Sequence, residues 1–297
     1  MAKELFGIVS PVMGEKKDYP VILLDKSVQA DNRNILRKYG EVHRRKMRQP
    51  DMLDNDDVKN VTPDGNPIIH YHLFVKRSTA TQYLLAFTKA HIYVWNPSLK
   101  VWDERFTCGS DVEEWDTVNY NDKVIATNNS DKVIAWDTTA NFTPLDNANS
   151  GIEYSGGLYL TKAKYVTTFE NFLILGYTHE NGITHPQRIR WNAIGDENSW
   201  KSGDAGSAET EGSDFITGFK IYSGQLVIFK EKSRILQRLV ATRDVWNWVV
   251  MPGNIGCLSN HSIVEDTLGR VFWLANDMTF REMEHGEISR DIDPFVK

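Results

Sequence analysis

The chain has 297 residues, of which 41% are hydrophobic, 25% charged and 11% aromatic, and its formal net charge is -6. This composition excludes a disordered, collagenous or coiled-coil chain, and the acidic balance argues against a surface that grips a nucleic-acid backbone all over. The two cysteines, Cys108 and Cys257, stand far apart, so neither a disulfide framework nor a cysteine zinc site is expected and a reducing compartment fits best.

In chain order, residues 1–64 read as an extended N-terminal arm. Met1-Ala2-Lys3-Glu4-Leu5 carries an acid where a secretory signal needs a basic stretch. The longest early apolar run, Val21 to Leu24, falls far short of the ~20 residues of a membrane span. Pro11, Pro20, Pro50 and Pro63 break the arm, and two short apolar pieces, Phe6 to Val9 and Pro20 to Leu24, are suited to adding a strand to a sheet that follows. Six cations, Arg37, Lys38, Arg44, Arg45, Lys46 and Arg48, crowd together ahead of the acidic Asp51, Asp54, Asp56 and Asp57. The basic group is a candidate for contact with phosphate or an acidic protein surface, although a solvated segment is the commoner meaning of such a run. The acidic group lacks the turn glycine and distal glutamate of a calcium loop, so it reads as a solvated loop.

From about residue 65 the pattern changes to short alternating apolar runs bounded by Asn, Asp, Gly and Ser, the mark of half-buried strands. Five runs resemble one another: Gln82 to Phe87, Asp122 to Thr127, Asn171 to Leu175, Gly224 to Phe229 and Gly269 to Leu274. Their equivalent residues Leu84, Val124, Leu173, Leu226 and Val271 are 40, 49, 53 and 45 residues apart, a loose period near that of propeller blades. Ahead of each lies another extended segment: Ile68 to Arg77, Asp116 to Tyr120, Tyr165 to Phe169, Phe215 to Tyr222 and His261 to Glu265. Three repeats close on a Trp before a turn former, at Trp95-Asn96, Trp136-Asp137 and Trp191-Asn192. Repeats of three or four strands with two apolar faces predict an all-β chain, a β-propeller of five blades over residues 65–297, or six if the arm supplies one.

Chemistry-bearing motifs are few. His70-Tyr71-His72 puts two imidazoles on one face of a strand, but no third metal ligand is near in sequence, and a partner-contact face is the plainer meaning. No nucleophile elbow, zinc-protease helix or phosphate loop occurs in the sequence, so no catalytic residue, cofactor or metal is assigned. Glu209 to Asp214 reads as an acidic loop between blades. Gly195-Asp196-Glu197-Asn198-Ser199-Trp200 is comparable to the Asp-box turns of propeller glycosidases, a structural feature in any case.

The segment Arg188-Ile189-Arg190-Trp191-Asn192-Ala193-Ile194-Gly195-Asp196-Glu197-Asn198-Ser199-Trp200 resembles a stretch in the nozzle (tail tubular protein B) of short-tailed bacteriophages and the related hub proteins that stabilise packaged DNA. Asn32 to Gly40 followed by Arg44-Arg45 is similar to that family's N-terminal part, although Lys46-Met47 stands where the family usually has a glycine. The likeness covers about a sixth of the chain, and its motif residues are Arg188, Arg190, Trp191, Gly195, Asp196 and Trp200. The resemblance implies a structural virion protein, assembled in the bacterial cytoplasm into a homo-oligomeric ring of the tail or head-to-tail connector. Its implied partners are adjacent tail, adaptor or portal proteins and DNA that passes through without specific binding; no membrane is implied. Two other classes remain open at this point, a propeller scaffold for protein partners and a propeller glycosidase or lyase.

Overall fold

The computed structural model describes residues 62–146, 150–240 and 245–288, together with the backbone of two short strands nearer the N-terminus. The chain divides into two compact units, residues 1–60 and 61–297. In the first, β1 (Ile35–Lys38) and β2 (Glu41–Arg44) pair antiparallel, with Ile35 opposite Arg44 and Lys38 opposite Glu41. Arg37, Lys38 and Arg44 therefore sit on paired strands. Arg45, Lys46, Arg48, the apolar pieces at 6–9 and 20–24 and the acidic stretch 51–57 lie outside the described residues.

The second unit is all-β and contains five antiparallel sheets that follow one another along the chain. The first holds β3 (His70–Lys76), β4 (Thr81–Phe87), β5 (His91–Asn96) and β6 (Val101–Thr107). The second holds β7 (Asp116–Tyr120), β8 (Lys123–Thr127), β9 (Ile134–Trp136) and β10 (Thr143–Pro144). The third has five strands, β11 (Ile152–Ser155), β12 (Leu158–Phe169), β13 (Phe172–Glu180), β14 (Ile183–Trp191) and β15 (Gly206–Glu209). The fourth is β16 (Ile216–Tyr222), β17 (Gln225–Lys230), β18 (Arg234–Leu239) and β19 (Trp246–Val250). The fifth is β20 (Val264–Glu265), β21 (Val271–Leu274), β22 (Phe280–Glu282) and β23 (Gly286–Glu287). In every sheet strands adjacent in sequence are adjacent in space, so each is a meander.

The five matched runs become β4, β8, β13, β17 and β21, because a strand with apolar residues at every position has two faces to bury. Alternation sends Val124 of β8 toward the first sheet and Ile125 toward the third. In β13, Leu173 and Leu175 face the second sheet while Phe172 and Ile174 face the fourth. In β17, Leu226 and Ile228 face the third sheet while Val227 and Phe229 face the fifth. Each fully buried side chain of this size stabilises the fold by about 1.5–3 kcal/mol. The end sheets differ: Tyr71, Leu73 and Val75 on one face of β3 are exposed, as is Val264 of β20.

Two expectations need correction. The third repeat has five strands rather than three or four, since β11 adds to the edge of β12. The segment from His261 to Glu265 is not extended throughout, because Asn260–Ser262 closes a 3-10 turn in which the Ser262 hydroxyl donates to the Ser259 carbonyl at 2.7 Å.

Three of the hairpins that lead into the matched runs repeat one geometry. Asn121 and Asp122, Glu170 and Asn171, and Ser223 and Gly224 all have positive φ, as two-residue hairpin loops require to match the strand twist. Among the described residues no helix is long and apolar enough to cross a membrane. Cys108 and Cys257 are free thiols, the second buried between the fourth and fifth sheets.

Candidate functional site

Alternation along β3 places His70, His72 and Phe74 on the face that meets the second sheet. His70 Nε2 lies 2.8 Å from Thr117 Oγ1, His72 Nδ1 lies 2.9 Å from the same hydroxyl, and His72 Nε2 lies 2.7 Å from Asn119 Oδ1. An amide oxygen only accepts, so His72 Nε2 donates and its Nδ1 accepts the Thr117 hydroxyl hydrogen. Thr117 then accepts from His70 Nε2, and the seam has one direction. Burial, with His72 and His261 nearby, pushes the His70 pKa down to about 4, and burial lowers that of His72. Both shifts favour the neutral rings on which this bonding pattern is built.

Farther along lies an acidic half. Lys164 Nζ meets Glu114 at 2.8 Å, and His261 approaches the other oxygen of Glu114 at 3.8 Å. Asp116 accepts from the backbone N–H of Val166 at 2.9 Å and of Thr117 at 3.1 Å, and from the Asn260 side chain. Asn260 in turn accepts from the N–H of Phe219 at 3.4 Å. Removal from water drives the Asp116 pKa up to about 7, and neighbouring Glu114 adds to the rise. The His70 and His261 rings are 6.3 Å apart. The seam thus joins β3, β7, β12 and β16, one strand from each of four sheets, and the 3-10 turn that precedes the fifth. Among the described residues no group of three His, Cys, Asp or Glu side chains is placed to hold a metal ion.

The segment from Arg188 to Trp200 forms a second polar centre. Residues two apart on β14 share a face, so Arg188 and Arg190 both reach one carboxylate, Glu180 on β13. Arg190 donates through Nε at 3.0 Å and through a terminal nitrogen at 2.9 Å, Arg188 at 2.9 Å, and the Thr178 hydroxyl at 2.9 Å. Burial alone would raise the Glu180 pKa, but these bonds outweigh it and hold the carboxyl below its usual range. The Arg190 guanidinium also lies 3.7 Å from the centre of the Tyr154 ring.

Trp191 donates to the Asp204 carbonyl at 2.7 Å and packs between the third and fourth sheets. Gly206 lies under its indole, where a Cβ would come within 2.8 Å of the ring. Asn192 accepts from the Leu173 N–H and donates to the Tyr120 hydroxyl and the Asp196 carbonyl. Gly195 turns the chain at positive φ, and Asp196 accepts the Asn198 N–H at 3.0 Å. Trp200 packs between the second and third sheets, while Glu197 beside it meets Lys123 at 2.5 Å and Asn121 at 2.7 Å. The loop from Glu209 to Asp214 is tied down as well: Glu209 pairs with Arg188, and the fully buried Lys230 reaches Asp214 and the Glu211 carbonyl.

Several of these residues carry no mark in the sequence read alone. Glu180 had one usable signal, a carboxylate ending an apolar run just before two arginines spaced to share it. Asp116, Lys164 and Lys230 had none, because their side-chain partners come from distant segments.

No family model matches this chain, and no curated protein matches it. Among solved structures, a crystal structure of the extracellular domain of a protein assigned to hybrid two-component systems, from B. thetaiotaomicron, is similar at 12% identity and a TM-score of 0.44. It aligns with 71% of this chain and 27% of its own length. An extracellular domain from the same organism assigned to one-component systems gives 13% identity and a TM-score of 0.43, over 68% of this chain and 25% of that one. The chain spans about a quarter of the length of either, and likenesses this slight carry no function across.

Proposed function

We propose that this chain is a structural virion protein of a tailed bacteriophage, a nozzle- or hub-like ring component of the tail or head-to-tail connector. In this reading the five sheets are successive blades of a propeller, open between the exposed faces of β3 and β20, copies of the chain form a closed ring, and DNA passes through without being gripped. The observation that carries it is the use made of the nozzle-like segment. Asn192 and Glu197 reach the second sheet, Trp191 reaches the fourth, and Arg188 and Arg190 lock the third onto Glu180. A motif spent on bracing its own sheet and holding the neighbouring ones suits a part that bears load rather than one that turns over a substrate. The seam that ties strands of successive sheets together supports the propeller reading in the same way. A net charge of -6 suits a conduit, since each phosphate neutralised would add salt-sensitive attraction and slow the DNA.

The test is native mass spectrometry of the purified chain, alone and with portal–adaptor complexes. A cyclic oligomer that caps the complex is expected, and a chain that stays monomeric and never attaches overturns the reading. In a ring, weak contacts repeat in every copy and steer docking mainly through association rate. Replacing Arg44, Arg45 and Lys46 with Ser should therefore weaken attachment most at low ionic strength, where screening is least. Equal attachment of both proteins at every salt concentration would remove the basic stretch from the docking surface.

A further inference from the structure

We infer that the cleft between the third and fourth sheets, at the start of β16, is a binding site for an acidic saccharide of the uronic-acid type. Its volume is about 550 Å³, within the range of small-molecule sites, and its walls include Lys164, Tyr177, Phe215, Thr217, Glu231, Lys232 and Asn276.

Two register irregularities, one in each of two neighbouring sheets, border this cleft. The register of β13 against β14 shifts between Gly176 and Thr178, where Tyr177 alone on β13, with φ of 55°, stands opposite Pro186, Gln187 and Arg188 of β14. The register of β16 against β17 shifts between Ile216 and Gly218, leaving Thr217 as the extra residue. A bulge re-aims the side chain it carries, as β16 does at Thr217, and Tyr177 of the neighbouring sheet, at its own register shift, lines the same space. Thr217 is 7% exposed, yet its hydroxyl has no hydrogen-bond partner. Leaving a buried hydroxyl without a partner is costly, a cost that a ligand hydroxyl would relieve.

The rest of the wall supplies what a sugar acid needs. The Tyr177 and Phe215 rings meet edge to face at 6.2 Å, and Phe215 is 41% exposed, offering an apolar platform for the C–H face of a pyranose. Asn276 spends its amide oxygen on the Gly256 N–H, which leaves its NH2 group to donate. Glu231 accepts from the Phe215 N–H through one oxygen and can accept ligand hydroxyls through the other. Lys164 is already paired with Glu114, so Lys232 is the cation open to a ligand carboxylate. A phosphate dianion would face the Glu231 carboxylate with a single free ammonium. A ring with several hydroxyls and one carboxylate uses donors, acceptor and cation together. This inference does not depend on the proposed place in a virion.

Saturation-transfer NMR on the full-length chain, titrated with galacturonate, galactose and inorganic phosphate, tests it. Galacturonate should bind saturably and about tenfold more tightly than galactose, with phosphate failing to compete. Lys232→Ser should remove the preference for the acid while leaving galactose binding intact. Thr217→Val keeps the side-chain volume and deletes the unpaired hydroxyl, so it should weaken both sugars about tenfold with no fall in melting temperature. Phe215→Ala, an exposed position, should abolish ring contacts and serves as the readout if Thr217→Val does not fold. The proposal is overturned by the absence of saturable sugar binding, by binding that these variants leave unchanged, or by phosphate displacing the sugar.

Discussion

The third sheet and the fifth are made of the same kind of apolar strand, but they stand in different places in the array. The third lies between two neighbours, and β12, β13 and β14 run to 12, 9 and 9 residues. It buries Leu173 and Leu175 on one side and Phe172, Ile174 and Trp191 on the other, and adds the Glu180–Arg188–Arg190 cluster. The fifth has β21 at 4 residues and β20 and β23 at 2 each. Its apolar cluster, Val271, Trp273 and Ala275, faces the fourth sheet, with the Arg234 guanidinium 4.8 Å from the Trp273 ring. The difference teaches that position in the array sets how much a sheet can stabilise, since an inner sheet buries both faces fully while an end sheet leaves part of its outer face exposed, as at Tyr71, Leu73, Val75 and Val264. Stability should be unevenly spread along the chain in consequence.

The harshest way to break the comparison is to delete the weaker partner. Ending the chain after Asn254 removes the fifth sheet and uncovers Val227 and Phe229, and the expected product is an aggregate by size-exclusion chromatography. A soluble monomer with native β circular dichroism would show that the fourth sheet needs no neighbour.

Single substitutions sharpen it. Trp191→Ala should cost about 3–5 kcal/mol, as for other large buried aromatics. Glu180→Ala should cost a similar ~3–5 kcal/mol, because it strands two guanidinium groups, one of them buried. Trp273→Ala in the fifth sheet should fall at or below the lower end, about 3 kcal/mol. Urea titrations rank the three, and a Trp273 variant as damaged as the Trp191 variant would erase the distinction.

A smaller effect separates the two halves of the polar seam. Asp116 has its folded pKa raised to about 7, so the folded state holds a proton that the unfolded state releases above pH ~4. Its contribution is present at low pH and is lost as pH rises to about 7, at up to about 1.4 kcal/mol per pH unit. His70 has its folded pKa lowered to about 4, so its contribution rises between pH ~4 and ~6.5. The two slopes oppose each other in one window. Asp116→Asn should therefore turn a nearly flat stability profile between about pH 5 and 6.5 into one that climbs with pH, as read by urea titration across that range. A profile that this substitution leaves unchanged would mean that the carboxyl is ionised in the folded protein.

Least of all should be felt on the open face of the first sheet. Tyr71→Ser and Leu73→Ser, at positions 53% and 59% exposed, should each change stability by no more than about 0.5 kcal/mol. A loss of several kcal/mol by thermal melting would show that this face is covered in the folded protein.

Strand content and strand faces were legible because the signal is local. A run such as Leu226 to Phe229 needs two apolar surfaces whatever it packs against, and Asn121-Asp122 or Ser223-Gly224 suits a tight hairpin by its own backbone preferences. The 3-10 turn at Asn260 was missed because a short side-chain bond, Ser262 to Ser259, overrode an alternating pattern. The polar centres were illegible for a different reason. Asn121 finds Glu197 across 76 residues and Tyr120 finds Asn171 across 51, and no spacing rule reaches so far.

By itself, then, the sequence determined that this is an all-β chain of repeated apolar strands, with their alternation and their turn formers. Tertiary structure alone decided which faces were covered, which carboxyl holds its proton near pH 7, and that Tyr177 and Thr217 look into one cleft. The physical reason is range. Backbone preference and side-chain alternation act between neighbours in sequence, whereas desolvation and charge depend on whatever the folded chain brings close.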